Sequence, residues 1–378
     1  MNISFSKTYI YLAFSTIFVP YYFSMAAMAT CASVLIFQAV IKFRAWVPVV
    51  FLSLLSIFIF HFFGGYLITE SYNLYLIKPF FFIFLILSLR SVLFIEGMDG
   101  ARALILKLSK FTTIVFFLIT FFQLLFPQYP IWNYMAEHHY HLLAMQNSIR
   151  PFGLLGNPTH SGYLALILCA IFLMLKERFV WFYLACSLLI FMQNKVSIIT
   201  FSLLLLPVFI KDLRKNPLNL SALFLAILLG GVALYFILFK TFDRWAESSF
   251  QVHTINHRVN VYKSILLEAD WSNLILWGDV EVFNRLSMTA FDSLPALLIT
   301  QSGVLVSSLV VLSLLYKISD RRSFILFLVL VLPSLTMVAF FNFQYILFYA
   351  LVYVFITSYL HCMRRSLSVE RKLNAAGV

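Results

Sequence analysis

The stretch SFILFLVLVLPSLTMVAF, Ser323–Phe340, carries no charged residue, and neither does LNLSALFLAILLGGVALYFILF, Leu218–Phe239. A transmembrane β-barrel is built from alternating segments of about ten residues, so continuous apolar runs of this length exclude it. They read as membrane-spanning helices. Working outward, further apolar runs occupy 8–22, 24–41, 46–63, 72–89, 111–127, 158–175, 179–192, 196–210, 293–316 and 345–361, giving twelve in all. At roughly 20 residues per span, twelve helices use about 240 residues and leave about 140 for ends and loops. The 378 residues are 62% hydrophobic and only 11% charged, whereas soluble domains run near 25% charged. The expectation is a single all-α polytopic transmembrane domain over 1–378, with one external loop at 128–157 and a larger one at 240–292.

A net charge of +12 would suggest nucleic acid in a soluble chain, but here the charges follow membrane topology. With the N-terminus cytoplasmic, nineteen of the 27 basic residues fall inside, among them Lys7, Arg44, Arg102, Lys110, Arg178, Lys211, Lys317, Arg322 and Arg365. Lys78 lies in a span, beside Pro79, where it snorkels or pairs. The remaining seven, Arg150, Lys195, Lys240, Arg244, Arg258, Lys263 and Arg285, face outward. That distribution obeys the positive-inside rule, places both termini in the cytoplasm and removes the case for nucleic acid. Lys7 and the small residues Ala26, Ala27 and Ala29 resemble a signal peptide. An uncleaved helical hairpin is preferred, because apolar character continues through Val40.

Cys31, Cys169, Cys186 and Cys362 form no CxxC pair, so no disulfide framework or zinc ribbon is indicated. The three long breaks in hydrophobicity are 90–110, 128–157 and 240–292. The first is basic and reads as a solvated or interfacial cytoplasmic connector. The other two hold most of the chemistry: six of the eight histidines lie in or beside them, and nine of the fifteen acids are external. Long loops in compact domains usually carry function, so the site is expected at the outer membrane interface.

Ahead of the sixth span runs Arg150-Pro151-Phe152-Gly153-Leu154-Leu155-Gly156-Asn157-Pro158-Thr159-His160. Pro151 biases Arg150 away from helix, the glycines permit tight backbone paths, and Asn157-Pro158 reads as an N-cap with proline at the first helical position. The guanidinium is thus carried on a shaped loop beside a helix N-terminus, a setting suited to phosphate or equally to lipid headgroups. His139 and His141 share a face in an extended segment, but no matching ligand set follows, so no metal site and no cofactor are expected.

In the second segment a helix is expected over about 257–270, opened by Asn256, with Val261, Tyr262, Ile265, Leu266 and Ala269 on one face. Arg258 lies at the centre of that apolar face and must find an anion, either a structural carboxylate or a lipid diphosphate. Asp292 precedes a helix of about 24 residues with Pro295 in its first turn. It serves as a plain N-cap or as an interfacial base for a sugar hydroxyl. Lys195, after Asn194 at the start of the eighth span, is a further outward cation. Trp132, Tyr134, Tyr140, Trp245 and Trp271 read as an interfacial aromatic belt or as sugar-stacking surfaces.

These segments together resemble the Wzy-type O-antigen polymerases and the related O-antigen ligases, lipid-linked glycosyltransferases of GT-C-like fold. The resemblance rests on five features in order: Arg150-Pro151-x-Gly153 through Gly156-Asn157-Pro158, Asn194-Lys195-x-Ser197, Arg258-x-x-x-Tyr262, Leu276-Trp277-Gly278-Asp279, and Asp292-Ser293 followed by Leu297-Leu298 and Gly303. It implies that Arg150 and Arg258 hold the diphosphate of an undecaprenyl-linked donor, with Lys195 as an additional cation. It also implies metal-independent transfer of a growing glycan to a hydroxyl of a new lipid-linked repeat unit. The implied location is the periplasmic face of a bacterial inner membrane, and the implied partners beyond lipids are a chain-length regulator and a flippase. Asp292 is the candidate base, with Glu281, Asp279, His257, His160 and Tyr262 as reserve bases or sugar contacts. Ligases usually carry histidine before the late span, so Asp292 favours a polymerase. The alternatives are a ligase with a lipid A–core acceptor and a polysaccharide flippase or secondary transporter.

Overall fold

The computed structural model describes residues 5–18, 26, 30, 33–34, 46–69, 77–93, 98–126, 151, 153–155, 158–192, 194–202, 260–279, 282, 293–316, 318–334 and 345–375. All regular structure among them is helical. The helices are α1 Phe5–Ser15, α2 Trp46–Thr69, α3 Ile77–Leu93, α4 Met98–Leu125, α5 Pro158–Met174, α6 Phe179–Phe191 and α7 Lys195–Thr200, then α8 over 260–268, α9 Trp271–Leu276, α10 Leu294–Leu315, α11 Arg321–Ser334 and α12 Ile346–Ala375. Among the described residues four stretches are long and apolar enough to cross a membrane: Val49–Leu67, Met98–Leu125, Leu294–Leu315 and Ile346–Met363. Ile77–Leu89, Thr159–Met174 and Phe179–Phe191 are shorter apolar helices. The predicted spans 218–239, most of 24–41 and most of 196–210 lie outside the described residues.

The main core is built around α5 and the first half of α12. Residues 163–172 of α5 and 346–356 of α12 are buried on every side, as expected of helices that are apolar all round. Inside such a core each hydroxyl needs an acceptor within the protein. Tyr163 Oη donates to the Leu330 carbonyl at 3.2 Å, and Tyr353 Oη donates to the Leu314 carbonyl at 2.8 Å. These bonds tie α5 to α11 and α12 to α10.

The connector expected at 90–110 is instead helical from Met98, because α4 is one 28-residue helix. Its buried positions Ala101, Ile105, Ser109, Thr112, Phe116, Thr120 and Gln123 recur every three or four residues, so one stripe unites the basic stretch with the span. Hydropathy missed residues 98–110 because Asp99, Gly100, Arg102, Lys107 and Lys110 interrupt the apolar signal there; from 111 onward the helix coincides with the predicted span, and its buried stripe includes Thr112, Thr120 and Gln123. Small polar residues permit close helix packing in a membrane and bond along their own helix; Thr113 Oγ1 donates to the Ser109 carbonyl at 2.7 Å.

α5 is about 25 Å long at 1.5 Å per residue, and it separates two chemically distinct ends of the bundle. At its C-terminal end, Lys110 Nζ lies 3.1 Å from Glu177 Oε1 and Arg102 donates to the Leu175 carbonyl at 2.9 Å. Burial opposes ionisation of Glu177, but the Arg178 N–H, the Lys110 ion pair and the Arg102 charge outweigh it and hold the carboxyl below its usual range. Residues that the charge pattern assigns to one membrane side thus gather at one end. The other end carries the sequence motifs.

Candidate functional site

The first junction at that end is formed by α4, α5, α7 and the turn leading into α5. Pro151, Gly153 and Leu155 are buried, so the turn is seated in the bundle. Gly153 has φ +68°, a conformation L side chains rarely adopt. Its N–H donates to Gln123 Oε1 at 2.9 Å, and Gln123 Nε2 donates back to its carbonyl at 3.3 Å. Leu155 N–H donates to Ser161 Oγ at 3.1 Å. A side chain at Gly153 would strike the Phe116 ring and Ser161, 2.6 and 2.8 Å away.

Asn194 joins two of the motifs. Its Oδ1 accepts from Ser197 N–H at 3.3 Å and so caps α7, while its Nδ2 donates to the Thr159 carbonyl at 2.7 Å. Gly162 lets α5 approach this close, since a Cβ there would sit 2.5 Å from that of Asn194. Thr159 and the Asn194 cap of α7, far apart in sequence, therefore meet. Lys195 opens α7 at this junction. His160, half-buried one residue beyond Thr159, packs edge-on to the Tyr345 ring at 6.1 Å.

The second junction forms where the larger loop folds onto the start of α10. Val261, Ile265, Ala269, Leu274, Val282 and Ala296 make a small separate core, with Tyr262, Leu297 and Ile299 against it. Leu294 and Leu298 face the main core instead, so the first turns of α10 join the two. The single helix expected over 257–270 is described from residue 260 and ends at 268, followed by α9. The break arises because Asp270 caps α9: its Oδ1 accepts from Ser272 N–H at 3.0 Å and Ser272 Oγ–H at 2.6 Å. Those donors hold the Asp270 carboxyl below its usual range. Leu266, expected on the apolar face, is exposed; the buried stripe is 261, 265 and 269.

α10 is not a plain helix. Gly303, at φ 76° and ψ 167°, breaks it into two halves. The turn after α9 fills the break: a Cβ on Gly278, itself at φ +85°, would lie 2.5 Å from the Thr300 carbonyl oxygen, and one on Gly303 would lie 2.8 Å from that of Leu276. The Trp277 ring packs on Gly64 of α2 and lies 5.2 Å from the His61 ring. His61 Nε2 is 3.0 Å from the Ser302 carbonyl oxygen freed by the break, and that bond makes Nε2 the protonated nitrogen. The Leu276-Trp277-Gly278-Asp279 motif and the Gly303 position are thus a single interlock.

Asp279 is buried, and each of its oxygens accepts a backbone N–H: Oδ2 from Asp270 at 3.1 Å and Oδ1 from Val282 at 3.0 Å. It thus links the start of α9 to Val282. Tyr262 Oη is hydrogen-bonded to Ser293 Oγ, which brings Tyr262 to the residue after Asp292 in sequence. The N-cap of α10 is Ser293, with φ −134° and ψ 120°. Its side chain makes no capping bond to α10, and Asp292, the expected cap, lies outside the described residues.

Arg150, Arg258, Asp292, Glu281 and His257 lie outside the described residues, as does the His138–His141 stretch. Their flanking residues Pro151, Val282 and Ser293 are buried. Among the described residues no group of three metal-ligating side chains occurs. Sequence reasoning passed over Gln123, Ser161 and His61. Gln123 and His61 carried a usable signal, since each is a polar side chain inside an apolar run, where such residues line interfaces or cavities. The fold so far defined is a helical one with helices able to span a membrane and a motif-bearing end. Comparison of the chain with protein-family models, curated proteins and solved structures finds no match.

Proposed function

We propose that the chain is a Wzy-type polysaccharide polymerase of the bacterial inner membrane, with twelve spans, a GT-C-like fold and its active site on the periplasmic face. It transfers a growing glycan from undecaprenyl diphosphate to a hydroxyl of a fresh lipid-linked repeat unit. The observation that carries this reading is the meeting of the separate motif segments: Thr159 with Asn194, Tyr262 with Ser293, and Trp277-Gly278 with Gly303. A tether between helices needs no such convergence. Breaking the sugar–phosphate bond puts negative charge on the diphosphate leaving group, which Arg150 and Arg258, with Lys195, stabilise. Asp292 takes the acceptor proton as the new glycosidic bond forms.

The test is a gel of surface glycans from a host deleted for the gene, beside the lipid-linked pool from the same cells. A polymerase leaves core bearing one repeat and no ladder. Bare core with long polymer still on undecaprenyl diphosphate means a ligase. Bare core with only single, cytoplasm-facing repeats means a transporter. Complementation with Asp292→Asn is expected to restore protein level and donor retention but not the ladder; a full ladder returns Asp292 to a structural role.

A further inference from the structure

Helices α8 and α9 bury a narrow stripe and leave large apolar side chains on the outside. Val261, Ile265, Ala269 and Leu274 face the protein, while Leu266, Leu267, Trp271, Ile275 and Leu276 are exposed, Leu267 to 72%. A water-facing cap would place polar residues there. The neighbouring α2 gives the explanation. Val49–Leu67, long and apolar enough to cross a membrane, is exposed along almost its whole length, with Phe60 at 72% and Phe63 and Leu67 also bare. The two surfaces are continuous: Trp277, directly after Leu276, packs on Gly64 and lies 5.5 Å from the Phe60 ring.

We infer that α8 and α9 lie in the bilayer interface, with Leu266, Leu267, Trp271, Ile275 and Leu276 seated among the acyl chains as a continuation of the lipid-facing side of α2. At 100° per residue Lys263 falls between Leu266 and Leu267, where its stem lies along apolar surface and its ammonium reaches the headgroups. Trp271 beside leucine and isoleucine is the composition of an interfacial helix. The segment that the sequence presents as an external loop is therefore a membrane-seated shelf, pinned to the bundle at the Gly303 break. The inference rests on exposure and continuity, and it holds whatever reaction the protein performs.

Nitroxide labels at Leu267→Cys, Ile275→Cys and, as the lipid-facing reference, Phe60→Cys test it. The background has its four cysteines replaced by alanine, and the samples are phosphatidylethanolamine–phosphatidylglycerol vesicles. The expected result is that oxygen relaxes the labels at 267 and 275 more than Ni-EDDA does, as at 60. Preferential relaxation by Ni-EDDA places the helices in water and overturns the inference. Labels inaccessible to both overturn it equally, because a second copy or another protein then covers the face. If the cysteine-free chain does not assemble, benzoylphenylalanine at 267 and 275 in the native chain decides the same question. Adducts to lipid support the shelf, and adducts to protein refute it.

Discussion

Gly278→Ala and Gly303→Ala are each expected to loosen α8 and α9 from the bundle and to lower thermal stability far more than alanine at Gly65 or Gly100. Gly303, at φ 76° and ψ 167°, sits in a region that only glycine adopts readily, at a cost of about 1–3 kcal/mol for any other residue. The added methyl would also meet backbone: Leu276 carbonyl oxygen at 2.8 Å from Gly303, and Thr300 carbonyl oxygen at 2.5 Å from Gly278. No rotamer change relieves a contact with backbone, so the two chain segments must separate. The contact is mutual, so the double variant should cost less than the two single effects added, as for residues sharing one interaction. Gly65→Ala and Gly100→Ala are the controls, because a Cβ there meets nothing within 4 Å, and alanine improves helix propensity. Melting curves in detergent and protease cutting around residues 260–279 supply the readouts. Unchanged melting and cutting in both variants would show that the interlock does not hold the segment.

The sequence carried most of the helical plan but little of how the helices join. Apolar runs located α5, α6 and α10 within a residue or two and the start of α12, which continues to Ala375 beyond the apolar run, since an uninterrupted apolar stretch is a strong signal. The first half of α4 escaped because Asp99, Arg102, Lys107 and Lys110 give residues 98–110 the hydropathy of a loop. The Gly303 break was invisible for a related reason. A glycine in an apolar run has no hydropathy signature, and its conformation is dictated by Gly278, a turn residue twenty-five positions earlier. The candidate site was legible as an ordered set of short motifs. Their pairing was not, because Asn194 to Thr159 and Tyr262 to Ser293 are bonds between elements, and local pattern says nothing about partners.

Arg150→Lys and Arg258→Lys are each expected to reduce polymerisation by at least about a hundred-fold, the loss typical when one preorganised donor to a developing oxyanion is removed. Lysine keeps the charge, so simple attraction of an anionic lipid survives. What disappears is the planar fork that presents two parallel N–H groups to adjacent phosphate oxygens. For Arg150 the backbone argument strengthens the case. The turn that follows it is fixed by Pro151, by the Gly153–Gln123 pair and by Leu155 on Ser161, so the lysine variant inherits the same anchored chain, and its loss reports on the head group. For Arg258, which lies outside the described residues, the expectation rests on the head group's chemistry alone. Arg321→Lys, in the exposed first turn of α11, provides the control and is expected to polymerise normally. Ladder length by gel, with protein level by immunoblot and accumulation of donor in the lipid-linked pool, separates lost turnover from lost protein. A normal ladder from either site variant at normal protein level would remove that arginine from the diphosphate site.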